Sequence, residues 1–218
     1  MPVSEFHRQV AAIALAAAGR HGFALAGGNA LMAHGIIDRP TEDVDLFTDQ
    51  ETGVEAAADE VEVRLRGASF EAERQDKTAG LGDIFPGMDQ GLAEWIVTAP
   101  GGEQMMLQMA YFDRTRGPVT MDLGPVLDLE DVLGGKVCAL ASRAVERDYL
   151  DTAAALERYS VDQLIGFARR LDAGLTSQDF ADAGRRLDHM EDEAFARYGL
   201  SRRDVTRLRD RLAAWPRP

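Results

Sequence analysis

The sequence predicts an α+β chain, α+β over residues 1–122 and all-α over residues 123–218. Three observations predict it. Up to about residue 122, short apolar runs of strand length alternate with amphipathic helical stretches. "AEWIVTA" and "EQMMLQMAYF", joined by "PGG", read as a hairpin. From Asp128 onward the apolar residues recur at helical period, and Ser160, Ser177 and Ser201 each precede a periodic segment.

Taken in order, Ser4 caps a predicted helix running to His21, with Phe6, Val10, Ile13 and Ala17 on one face and Gly22 ending it. Glu5, His7 and Arg8 at its front argue for an amphipathic helix over a signal peptide, so a cytoplasmic protein is expected. "FALAG" reads as a short buried strand. Asn29 is placed to cap a small helix, Ala30–His34, which Gly35 stops. After the loop "IIDRPTE" comes the strand "DVDLF". Residues 51–66 are helical, with Val54, Ala58, Val61 and Leu65 on one face. "ASFEAER" reads as a strand, and 76–92, rich in Gly and Asp, as a loop. The stretch from Asp128 to Tyr159 reads as two helices, and Ser201 with Asp204 as a capping box.

The chain has 218 residues and a net charge of −13, which argues against indiscriminate nucleic-acid binding. The acidic excess is confined to the first part: residues 1–136 hold 10 Lys/Arg against 23 Asp/Glu, and residues 137–218 hold 14 against 14. Arg197, Arg202, Arg203, Arg207, Arg209 and Arg211 crowd the last stretch, either as a solvated, ion-paired helix face or as an RNA-contacting one. No run of about 18 apolar residues marks a membrane span. A lone Cys138 forms no internal disulfide, in keeping with a reducing compartment.

The chemistry is concentrated in "LAGGNALMAHGIIDRPTEDVDLF", Leu25–Phe47. Residues i and i+2 of a strand share a face, so Asp43 and Asp45 project together while Val44 and Leu46 face the core. Neighbouring carboxylates repel unless one is protonated or a cation lies between them. Such hard oxygen ligands suit Mg²⁺ or Mn²⁺, completed by substrate phosphates. Gly27-Gly28, after a strand and before a helix, offers backbone N–H groups to a phosphate. Lys136 stands out as one of only two lysines, the other being Lys77, in an Arg-rich chain, and it falls in an apolar helical stretch. A site needing a compact ammonium accounts for that, as does an ordinary helix lysine snorkelling outward. Asp148 and Asp151 share a helix face, near Lys136 or in an ion-pair network with Arg143 and Arg147. His34 reads as a helix-end histidine or a base or phosphate contact. Trp95 reads as core and Trp215 as a surface-helix anchor.

"GGNALMAHGIIDRPTEDVDLF" resembles the signature of the DNA polymerase beta-like nucleotidyltransferases and, more narrowly, of the AbiEii-type toxins that include the mycobacterial MenT toxins. Gly27, Gly28, Ala30, Leu31, Arg39, Thr41, Asp43, Val44, Asp45 and Leu46 fit that pattern. Many members carry Gly-Ser where this chain has Gly27-Gly28, so a hydroxyl contact to phosphate is missing. "LEDVLGGKVCALASRAVERDYLDTAA" resembles the family's second, helical part.

The resemblance implies a polymerase beta-like core, a mixed sheet with flanking helices, whose site is completed by the helical region. Asp43, Asp45, Lys136 and Asp151 would be catalytic, with Asp43 and Asp45 on the metal. Gly27, Gly28, Arg39, Thr41 and Asp148 would bind nucleotide. It further implies a toxin that transfers a nucleotide from CTP or UTP to the 3′ acceptor end of tRNA, a cognate antitoxin, and Thr41 as a phosphorylation site. Polymerase-like enzymes place a third carboxylate on the strand after the hairpin, where this chain has Gln108 and Ala110, with Asp113 only at the end. A two-metal mechanism is therefore in question. The alternatives are transfer to a small-molecule or protein hydroxyl, and an inactive nucleotide-binding or interaction module.

Overall fold

The computed structural model describes residues 5–39, 41–75 and 91–218, which fall into two compact units, Met1–Leu129 and Glu130–Pro218. The first unit is built on one sheet. Its strands are β1 (Ala24–Leu25), β2 (Asp43–Thr48), β3 (Glu71–Arg74), β4 (Leu92–Thr98), β5 (Gln104–Tyr111), β6 (Val119–Met121) and β7 (Gly124–Val126). They are ordered β3-β4-β5-β2-β1-β7-β6, with β2–β5 and β1–β7 parallel and the other pairs antiparallel. The sheet is therefore mixed, and β2 lies at its centre.

Helices α1 (Glu5–Ala18) and α3 (Gly53–Gly67) pack on each other, α1 reaching β2 and α3 reaching β4 and β5. The side chains that fill this core are the ones the alternation predicts. Val44, Leu46, Trp95, Val97, Leu107 and Met109 are all fully buried, as are Val61 and Leu65 of α3. Burying such side chains contributes roughly 1.5–3 kcal/mol each, which pins the register of β2. The Trp95 indole N–H donates to Glu62 of α3 at 3.0 Å. After α1, a 3₁₀ turn over Gly19–His21 ends at Gly22, whose positive φ supplies the chain reversal. The expected cap Ser4 and residues 76–90 of the expected loop 76–92 lie outside the described residues, and β4 begins at Leu92, the last residue of that expected loop.

The small helix α2 spans Gly27–Ala33, with Ala26 at its N-cap, so it starts earlier than expected and Asn29 does not cap it. Its end is as read: Gly35 has positive φ, and its N–H and that of Ile36 reach back to Met32 and Leu31. The hairpin β6–β7 was not expected, and it carries the sheet to Val126.

The second unit is helical, with α4 (Leu129–Ser142), α5 (Glu146–Ala155), α6 (Val161–Leu171), α7 (Ser177–His189) and α8 (Arg202–Arg211). Ser160 caps α6 reciprocally with Gln163, and Ser201 caps α8 with Asp204. Thr176, not Ser177, caps α7, with Asp179 as its partner. Gly134 lets α4 approach the α6 backbone, because a Cβ there would lie 2.8 Å from the Phe167 carbonyl oxygen. Trp215 is buried rather than a surface anchor, its indole N–H donating to the Phe180 carbonyl at 3.0 Å. Arg197, Arg202, Arg207, Arg209 and Arg211 each meet a carboxylate within this unit, which is the ion-paired arrangement. Among the described residues no helix is long and apolar enough to cross a membrane.

Candidate active site

On β2 the alternation holds: Val44, Leu46 and Thr48 are buried, whereas Asp43 and Asp45 are half-buried on the opposite face. The Gly27-Gly28 turn packs directly against this strand. Gly27 has φ +58°, and a Cβ on it would fall 1.8 Å from Asp45 Oδ2. A Cβ on Gly28 would fall 2.6 Å from the Thr41 methyl. Asp45 of the carboxylate strand thus requires glycine at position 27, and Gly28 packs on Thr41 just before that strand, so the two motifs form one cluster. The Ala26 N–H donates to the Asp45 carbonyl at 2.8 Å and closes the same contact on the backbone side.

Asn29 is the residue that sequence reasoning misplaced. It is buried, its Nδ2 donates to the Asp43 carbonyl at 2.7 Å, and its Oδ1 accepts from the Thr41 hydroxyl at 2.8 Å. One amide therefore ties α2 to both residues flanking Glu42. The signal was its polarity in an otherwise apolar helix face, which local capping rules explained too readily.

Gly27→Ala is expected to cost at least about 1–2 kcal/mol from the left-handed backbone alone, and to push the Asp45 carboxylate aside. Gly28 has no such φ, and its neighbour is a methyl group on a rotatable side chain. Thermal melts should therefore show Gly27→Ala as the more damaging substitution, and it should also lower activity more.

Arg39 is half-buried in the loop leading to β2. His34 Nε2 meets the Leu127 carbonyl at 2.8 Å, so the imidazole anchors the chain after β7. Opposite β2, Asp45 pairs in register with Gln108 of β5, and Gln108 with Glu94 of β4. Glu94 is a buried carboxylate that sequence reasoning passed over.

In the helical unit, Lys136 of α4 and Asp151 of α5 form an ion pair at 2.9 Å, with side chains 17% and 0% exposed. The lysine is not a freely snorkelling one. Asp148 is also buried. Arg143 grips it with two hydrogen bonds of 3.0 and 2.9 Å, and the Val145 N–H donates to it at 3.1 Å. That geometry gives Asp148 the job of locking the start of α5. Cys138, with its thiol pushed up to about 11 by burial, is a structural thiol.

Among the described residues no group of three or more His, Cys, Asp or Glu side chains is placed to hold a metal ion. What the chain offers is the two-carboxylate face of Asp43 and Asp45. That donor set fits a Mg²⁺ whose remaining ligands are substrate phosphates and water.

Residues 10–215 match the nucleotidyltransferase AbiEii toxin family, described as a type IV toxin–antitoxin system. The chain belongs to the AbiEii family. Solved structures share the fold across almost the whole chain. JHP933 from Helicobacter pylori is 13% identical at a TM-score of 0.58, covering 97% of this chain and 92% of its own. MenT4, a nucleotidyltransferase toxin from Mycobacterium tuberculosis H37Rv, is 15% identical at a TM-score of 0.57, covering 95% of this chain and 82% of its own. At these identities the likeness concerns the fold. Among curated proteins no significant match is found. Membership implies a cognate antitoxin.

Proposed function

We propose that this AbiEii-family protein transfers a nucleoside monophosphate from an NTP, a pyrimidine nucleotide, to the 3′ end of tRNA in the cytoplasm, and so blocks translation. The observation that supports it most is the Asp45 carboxylate seated against Gly27, which holds two same-face carboxylates beside backbone N–H groups. The acceptor hydroxyl attacks the α-phosphorus, the bond to the bridging oxygen of the β-phosphate breaks, and pyrophosphate leaves. Asp43 and Asp45 would hold Mg²⁺ or Mn²⁺, which would supply neutralisation of the charge developing on the phosphates. The Gly27 and Gly28 amides and the Arg39 guanidinium orient the phosphates. Lys136 and Asp151, catalytic by the family resemblance, form their own ion pair in the helical unit, where Asp151 holds the ammonium in place. Catalysis of this kind is positioning plus electrostatics. Incubating total tRNA with each NTP labelled at the α-phosphate, then sequencing 3′ ends, tests it. One or two pyrimidines appended at the acceptor end is the expected result. Label on a small molecule or protein would redirect the acceptor assignment, and no label anywhere would overturn the proposal.

Thr41 is the proposed control point, phosphorylated by the antitoxin. Its hydroxyl donates to Asn29, so a phosphate there removes that donor and places about −1.5 to −2 charges beside Asp43. Thr41→Glu is expected to fold and to be inactive. Thr41→Val is expected to keep much of its activity with a lower Tm, because it leaves the Asn29 carbonyl without its donor, a cost of about 1–3 kcal/mol. Intact mass of the toxin co-expressed with its antitoxin reads the modification directly; an unmodified, tightly bound toxin would count against it.

A further inference from the structure

We propose that Glu94 and Gln108 are positioning residues of the Asp43–Asp45 face, with Glu94 acting through Gln108; this rests on the functional reading above. Asp45, Gln108 and Glu94 are in register across β2, β5 and β4, and residues in register share a face. Gln108 Nε2 donates to Glu94 Oε1 at 2.9 Å. A carboxylate only accepts, so Glu94 fixes which end of the Gln108 amide faces it and turns the amide oxygen the other way. The strand next to Asp45 thus presents a neutral, oriented amide, with the negative charge held one strand further out.

Glu94 is 7% exposed, so the chain buries a carboxylate at a position on β4 where an apolar side chain would cost nothing in desolvation. The flanking residues Ala93 and Trp95 face the other way into the core, which leaves Glu94 on the carboxylate side of the sheet. A group that orients the neighbour of a ligating carboxylate changes metal affinity or activity by about 10–100-fold when removed.

The test is Glu94→Gln, which keeps the shape and a hydrogen bond but lets both amides flip. Two quantities are read: Mn²⁺ affinity by electron paramagnetic resonance with a non-hydrolysable α,β-methylene NTP bound, and kcat for transfer. Both are expected to fall about 10–100-fold, with Tm unchanged. The double variant Glu94→Gln/Gln108→Leu should then lose little more metal affinity beyond Gln108→Leu alone, because the proposed effect of Glu94 on the Asp43–Asp45 face passes through Gln108. Wild-type Mn²⁺ affinity and kcat in Glu94→Gln, or additive losses in the double variant, would overturn the proposal. Asp43→Ala run alongside separates the two levels. Full activity in that variant removes the site reading itself, whereas an inactive Asp43→Ala beside a wild-type Glu94→Gln removes only the positioning role.

Discussion

Asp43→Ala is expected to abolish nucleotidyl transfer, a loss of about 10³-fold or more, while leaving the protein as stable as wild type. The loss follows from removing one of the two carboxylates on the metal-facing side of β2, on the scale of deleting a preorganised charge. The unchanged stability follows from what holds this position. Asn29 bonds the Asp43 backbone carbonyl, β2 pairs with β5 through the backbone, and the flanking Val44 is the buried residue. None of these is altered by truncating the side chain. Relief of repulsion between Asp43 and Asp45 acts in the stabilising direction. Thermal melting of the purified variant, read next to its transfer rate, checks both halves of this expectation.

Lys136→Ala is expected to lose both stability and activity, and the two losses can be separated. Its partner Asp151 is fully buried, and removing one member of a buried pair typically costs about 3–5 kcal/mol, because a charge is left uncompensated. For a chain of this size about 3 kcal/mol corresponds to a fall of roughly 6–12 °C in Tm. The double variant Lys136→Ala/Asp151→Ala removes both charges and should recover much of that Tm. It should not recover transfer, because the ammonium, proposed as catalytic, is still missing. A double variant that regains near wild-type transfer would make the pair purely structural. Lys136→Arg should rescue poorly, since a planar fork does not replace a compact ammonium in a site that is 17% exposed.

The carboxylate face was legible because its signal is local. A period of two over Asp43–Leu46 decides which side each residue takes, and burial confirmed it residue by residue. The glycine pair was legible as a turn, but its reason was not: the atoms that exclude a side chain at Gly27 belong to Asp45, eighteen positions later in the sequence. Asn29 failed for the same reason. A short polar residue beside a helix start satisfies the capping rule, and only the tertiary register shows its amide spent on Thr41 and Asp43. Thr176 and Ser177 are both fair caps by type, and the backbone selected the first. The hairpin β6–β7 has three-residue strands with Gly124 and Pro125 in one of them, too short and too broken for alternation to show. Glu94 was invisible because its meaning lies in the cross-strand register with Gln108. In the helical unit, Lys136 stood out by composition within an apolar helical stretch, and the pairing of Asp148 with Arg143 was one of two sequence readings, whereas the bond from the Val145 N–H needed coordinates.

The central claim is that this chain performs nucleotidyl transfer at the Asp43–Asp45 face. Pyrophosphate release, followed alongside incorporation of α-labelled NTP into total RNA with Mg²⁺ present, tests it most directly when wild type and Asp43→Ala are compared. The account predicts pyrophosphate and labelled RNA in equal amounts from the wild type and neither from the variant. Equal release from both proteins, or label incorporated by Asp43→Ala at the wild-type rate, would contradict it.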